Sequence, residues 1–134
     1  METENSIEKR CFGRIFIVED NANLQCMFAA YIKSSEIIII PAKNLATGEE
    51  LFHEYNGEFD FIAVDACLES KHPDSMELIK HFLAAGFTGE IIAISNSDEF
   101  NDELIKAGAT RKVLKDHFVG VLVDFAKKYK NKVP

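Results

Sequence analysis

Five short apolar runs separated by amphipathic stretches predict an α/β domain: a single doubly wound (βα)5 unit, its five parallel strands covered by helices on both faces. Three observations carry this reading. The runs Arg14-Ile15-Phe16-Ile17-Val18, Phe61-Ile62-Ala63-Val64 and Ile91-Ile92-Ala93-Ile94 are too short for helices and lack the alternation of half-exposed strands, as expected for strands buried on both sides. Between them, apolar residues return at three- and four-residue intervals. The chain has 134 residues, 47% of them hydrophobic, which is enough for one packed core and too little for a second domain.

Strand one is expected over Arg14 to Val18. Asn21 is placed to cap a helix from Asn23 to Ser34, with Leu24, Phe28, Tyr31 and Ile32 on its apolar stripe. Ile37 to Ile40, β-branched throughout and stopped by Pro41, reads as strand two at a sheet edge. Asn44 or Thr47 opens helix two through Leu51, Phe52 and Tyr55, and Asn56-Gly57 offers a left-handed end. Phe59 to Asp65 is strand three. Cys67 to Asp74 has no periodicity, and Lys71-His72-Pro73-Asp74 is turn chemistry, so a functional loop is expected there. Ser75 caps helix three, which buries Ile79, Phe82 and Leu83 and ends at Gly86. Strand four is Ile91 to Ser95. Ser97 opens helix four on Phe100, Leu104 and Ala107, Gly108 closes it, and Thr110 to Lys115 is strand five. Asp116 caps a last helix along Phe118, Val121, Leu122, Phe125, Ala126 and Tyr129. The boundaries that follow are a flexible leader over residues 1–12, one domain over 13–130 and a tail over 131–134.

Composition excludes several functions. A formal charge of −7 disfavours a nucleic-acid backbone, which calls for clustered Lys and Arg. No apolar stretch approaches the roughly 20 residues that span a bilayer, and the start lacks signal-peptide order, so the cytoplasm is expected. Cys11, Cys26 and Cys67 form no Cys-x-x-Cys pair and read as reduced packing thiols. His53, His72, His81 and His117 have no metal-ligand spacing and are expected on the surface or in loops. The eleven phenylalanines are assigned to the core, and the lysine-rich end over 127–132 to a helix terminus matched to its dipole.

Ligands of parallel sheets bind beyond the carboxyl ends of the strands, where strand order reverses. Glu19 and Asp20 follow strand one, Asp65 ends strand three, Ser95 strand four and Lys115 strand five. Three carboxylates and a lysine brought together suit Mg²⁺ and a phosphoryl group better than a packing role, because a buried carboxylate without a partner is heavily penalised.

Acidic pair, aspartate, hydroxyl and lysine, each at a strand end and in this order, resemble the signature of response-regulator receiver domains over about Arg14 to Lys128. The resemblance implies a flavodoxin-like fold of strand order 2-1-3-4-5 and phosphorylation of Asp65 by a partner histidine kinase or phosphotransfer protein. It implies Mg²⁺ (or Mn²⁺) held by Asp20, Asp65 and the Cys67 backbone carbonyl, with Glu19 acting through water. Lys115 is then the cation for the phosphoryl oxygens and Ser95 the switch hydroxyl. The implied output is a conformational signal to a protein effector or output domain, with no direct contact to nucleic acid or membrane and a dimer left open; the domain is a phosphoacceptor rather than an enzyme. Departures lie on the reporting side. Lys112 stands where the family carries an aromatic, Asp116 where it carries a proline, and Leu68 and Glu69 follow the acceptor where methionine and proline are usual. Asp116 is also expected to tether Lys115. These departures support an alternative, a receiver-like interaction module independent of phosphate. An aspartyl-phosphate phosphohydrolase ranks below both, because Asp65-Ala66-Cys67 lacks a second acid for general acid/base work.

Overall fold

Five parallel strands lie in the order β2-β1-β3-β4-β5 in the computed structural model, which describes residues 13–32 and 36–132. The strands are β1 (Gly13–Val18), β2 (Ile37–Ala42), β3 (Phe61–Val64), β4 (Glu90–Ile94) and β5 (Arg111–Val113). The helices are α1 (Ala22–Tyr31), α2 (Leu45–Glu54), α3 (Met76–Ala84), α4 (Asp98–Ala107) and α5 (Phe118–Lys132), the last preceded by a 3₁₀ turn over Lys115–His117. The fold is therefore the doubly wound, flavodoxin-like arrangement expected from the alternation. Among the described residues no helix is long and apolar enough to cross a membrane.

Each face of the sheet carries its own core. Phe16, Val18, Ile62, Val64, Ile91 and Ala93 point toward α2, α3 and α4, where Phe52, Ile79, Phe82 and Leu104 meet them. Ile15, Ile17, Phe61, Ala63, Ile92 and Ile94 point the other way, onto Phe28 of α1 and Phe118 and Leu122 of α5. Successive strand residues thus feed opposite cores, which is why β1, β3 and β4 read as unbroken apolar runs. Burying one such side chain fully contributes about 1.5–3 kcal/mol.

The caps follow the sequence closely. Asn21, Asn44 and Ser97 accept from the backbone N–H three residues on, at 3.0, 2.8 and 3.2 Å. Asn56 and Gly57 adopt φ of 56° and 65° after α2, and Gly86 and Gly108 have φ of 100° and 124° after α3 and α4.

Several expectations need correction. Helix α1 ends at Tyr31, whose ring is exposed; Ser34 lies outside the described residues. Leu83 is exposed on α3, and Leu78 takes the buried place. Strand β3 starts only at Phe61; Asp60 turns back to accept from the Arg14 N–H at 2.7 Å. Strand β2 continues through Pro41, which an edge strand tolerates because no partner needs its missing N–H. Strand β5 stops at Val113, so Lys115 opens the 3₁₀ turn instead of ending a strand. Asp116 sits inside that turn and does not cap α5. Cys26 is an exposed thiol on α1, Cys67 packs partly against the core, and Cys11 and residues 1–12 lie outside the described part. Helix α5 continues two residues into the segment read as a tail.

Candidate functional site

Strand register brings the acids together. Val18 pairs with Val64 across β1 and β3, so Glu19 and Asp65 are the first residues beyond two neighbouring strand ends. Backbone bonds fix them there: the Glu19 N–H donates to the Ala42 carbonyl and the Asp65 N–H to the Val18 carbonyl, both at 2.9 Å. This is the crevice where the chain, having gone outward from β1 to β2, returns on the other side to β3.

Glu19, Asp20 and Asp65 each offer an oxygen within 4.8 Å of the others. Glu19 is fully buried, Asp65 nearly so, and Asp20 is exposed. Lys115 reaches in from beyond β5, its Nζ 2.9 Å from Glu19 Oε1 and 3.1 Å from Asp65 Oδ2. Glu19 Oε2 accepts from the Asn21 N–H at 3.0 Å. Its buried Oε1 is charge-paired with Lys115 but has no aligned hydrogen bond.

One ammonium does not balance three carboxylates. Burial, then the Asp65 charge, pushes Glu19 up to about 7. Asp65 is also raised, by burial first and by Asp20 further, against the pull of Lys115. For Lys115 burial alone would lower the ammonium, but its close pairing with Glu19 and the charges of Asp65 and Glu19 outweigh this and raise it. Burial and the Asp65 charge raise the Cys67 thiol, which stays a neutral packing group. Such a site holds unfavourable charge that a divalent cation relieves. The donor set fits one: hard carboxylate oxygens from three residues converge within 4.8 Å of one another.

Ser95 follows β4 and is buried, its Oγ accepting from the Ser97 N–H at 3.1 Å. That bond occupies a lone pair and leaves the O–H free to donate. Asp116 does not tether Lys115. Its carboxylate accepts from Asn96 Nδ2 at 3.4 Å while its N–H donates to Asn96 Oδ1 at 3.2 Å, so it ties the β4–α4 and β5–α5 loops together. Lys112 lies on the surface, its Nζ 2.7 Å from Asp102 and 3.0 Å from Asp98 of α4.

Four residues support the site: Asp74 and Ser75 in roles other than the turn and cap expected of them, and Gln25 and Asn101, which no expectation from the sequence named. Asp74 folds the loop after Asp65 around its carboxylate, accepting from Leu68 N–H at 2.8 Å and Glu69 N–H at 2.7 Å. Ser75 makes no cap bond; its hydroxyl donates to the Asp65 carbonyl at 2.8 Å, with the Ala66 carbonyl at 3.2 Å, because strand-end carbonyls lack ladder partners. Gln25 of α1 is buried and its Nε2 faces the carbonyls of Ile17, Glu19 and Ala42 at 3.0, 3.1 and 3.3 Å. Asn101 of α4 does likewise for Ser95 and Val113, at 3.0 and 3.4 Å. The sequence signal for both is an amide on an otherwise apolar helix face.

No family model and no curated protein sequence matches the chain. Solved structures do. The response regulator domain of Thermotoga maritima CheB superposes with a TM-score of 0.68 at 17% identity, over 90% of this chain and 95% of that one. The phosphorylated cyanobacterial phytochrome response regulator RcpA gives 0.68 at 15% identity, over 91% and 94%. A Burkholderia pseudomallei response regulator, solved with a phosphorylated aspartic acid, calcium ion and citrate, gives 0.64 at 17% identity, over 90% and 72%. Strand order, helix placement and these superpositions agree: the chain has the fold of response-regulator receiver domains.

Proposed function

We propose that the chain is a phosphoacceptor domain of a two-component or phosphorelay system, with Asp65 as the acceptor. One observation carries the reading: Glu19, Asp20 and Asp65 converge beyond β1 and β3, and Lys115 bridges the two buried carboxylates. Two of the similar structures contain a phosphorylated response regulator, which is in keeping with it.

Glu19, Asp20, Asp65 and the Cys67 carbonyl would hold Mg²⁺, with Mn²⁺ as a substitute. The ion, when bound, neutralises charge on the phosphoryl oxygens. An Asp65 oxygen attacks the phosphorus of a phosphohistidine on a kinase or phosphotransfer protein. The N–P bond breaks, the imidazole leaves with its electron pair, and an acyl phosphate remains on Asp65. Lys115, already 3.1 Å from the Asp65 carboxylate, supplies a compact charge to the new phosphoryl group. Ser95 donates its free O–H to a phosphoryl oxygen, drawing the β4–α4 loop inward and signalling to a cytoplasmic protein effector. The chain acts as a carrier of the phosphoryl group; any enzymatic activity is limited to self-phosphorylation from small donors and autodephosphorylation.

Incubation with a small phosphodonor and Mg²⁺ tests this directly. Intact mass is expected to rise by one phosphoryl group in the wild type and not in Asp65→Asn. A wild type that never gains mass supports the phosphate-independent interaction module instead. That second reading draws on Lys112, which already occupies Asp98 and Asp102 on the face where receivers carry an aromatic.

A further inference from the structure

Outside the acidic cluster, two histidines 28 residues apart in sequence meet head to head. His53 Nε2 of α2 and His81 Nε2 of α3 are 2.7 Å apart. The ring centres are 4.9 Å apart and the rings nearly perpendicular, so the two nitrogens aim at each other. Glu49 Oε1 lies 3.8 Å from the same His81 nitrogen.

The core beneath builds this meeting. Phe52 and Phe82, the chain neighbours of the two histidines, stack at 4.6 Å between α2 and α3. Gly48 lets the helices approach, since a methyl group there would sit 3.1 Å from Leu78 Cδ2. The helices run parallel, each crossing back to a parallel strand, and each carries a glutamate one turn before its histidine: Glu49 before His53, Glu77 before His81. Glu49, Glu77 and His81 line one groove of about 560 Å³ along α2 and α3. The neighbouring hollow is lined by Glu49 and His53.

We propose that His53, His81 and Glu49 form a site for a borderline transition-metal ion, Zn²⁺ in the first instance, that clamps α2 to α3. Without metal, one ring donates its Nε2 proton to the other. With metal, both Nε2 lone pairs turn to the ion and each neutral ring carries its proton on Nδ1, so no proton leaves the pair. Zinc binds imidazole nitrogen at about 2.0–2.1 Å, and two such nitrogens in a tetrahedral site stand about 3.3 Å apart. The rings need to part by only a few tenths of an ångström and tilt, which their surface positions permit. Glu49, whose Oε1 is 3.8 Å from His81 Nε2, is not yet at ligand spacing from both rings and swings inward as the third ligand. Glu77, held 3.2 Å from Lys80, or water completes the shell. Imidazole with carboxylate selects zinc, copper or nickel, whereas the all-oxygen cluster at Asp65 selects magnesium, calcium or manganese.

The test is Zn²⁺ binding by the full chain against a chromogenic chelator, with excess Mg²⁺ present to fill the carboxylate cluster. His53→Gln and His81→Gln are each expected to weaken Zn²⁺ binding at least about tenfold, the scale at which even a supporting partner of a ligand matters. Glu49→Gln weakens it less. Asp20→Asn and the double variant His72→Gln/His117→Gln leave it unchanged. His53 is exposed and His81 half-buried, and unchanged melting without zinc would show that the variants fold. Equal zinc affinity in the wild type and His53→Gln/His81→Gln would overturn the proposal, as would wild-type binding lost only with Asp20→Asn.

Discussion

Two lysines three residues apart each hold two carboxylates at nearly the same distances, and they do different things. Lys115 lies 2.9 and 3.1 Å from Glu19 and Asp65, in a site where the side chains are 19%, 0% and 6% exposed. Lys112 lies 3.0 and 2.7 Å from Asp98 and Asp102, with side chains 40%, 67% and 51% exposed. Distance alone would rank them equal. Water separates them: around Lys112 the charges are solvated and screened, and such pairs add little. Around Lys115 the charges have lost their solvent, so each depends on the others and a proton gained by one changes the balance of all.

Removing Lys115 should break this contrast most severely. Lys115→Met leaves two buried carboxylates facing each other, and a loss of about 3 kcal/mol is expected at pH 8 by urea denaturation without divalent ions. Much of that loss should return by pH 5. Glu19, raised from its ordinary value to about 7 in the folded chain, binds a proton more readily folded than unfolded. Its contribution therefore favours folding at low pH and declines as pH rises from about 4.5 through 7. Wild type should show the same slope in milder form. A Lys115→Met loss that does not vary with pH would mean the lysine acts by packing alone.

Filling the site sharpens the comparison with a smaller effect. Mg²⁺ at ten times its dissociation constant is expected to stabilise wild type by about 1.4 kcal/mol, a rise of a few degrees in Tm. Asp20→Asn should remove most of it, and equal rises in both proteins would place the ion elsewhere. Lys112→Ala is the smallest change. Its denaturation midpoint in urea should match wild type, and its Mg²⁺ response should be intact; a clear loss would show that the exposed trio is coupled to the pocket after all.

The acidic site was legible because its ingredients are local. Each acid follows an apolar run, and parallel strands deliver all their carboxyl ends to one rim, so Glu19 and Asp65 could be brought together without knowing a single side-chain contact. Strand β5 was less legible: its residues are exposed or half-buried, so no burial pattern marks where it stops and Lys115 was read as its end. The His53–His81 pair left no trace in spacing. It depends on the register of two helices joined through a strand, which Phe52, Phe82 and Gly48 set in three dimensions. Gln25 and Asn101 carry a fainter signal, an amide on an otherwise apolar helix face, which does not by itself name the strand-end carbonyls they serve inside.

Gln25 has a consequence for how this chain tolerates change. Its single amide faces carbonyls from β1, from the acidic turn and from β2 at once, so the turn that carries Glu19 is anchored by a helix as well as by its own neighbours. One altered residue on the inner side of α1, itself uncharged, would then loosen the turn on which the acids stand. Part of the durability of the rim rests on a peg that carries no charge and takes no part in the chemistry.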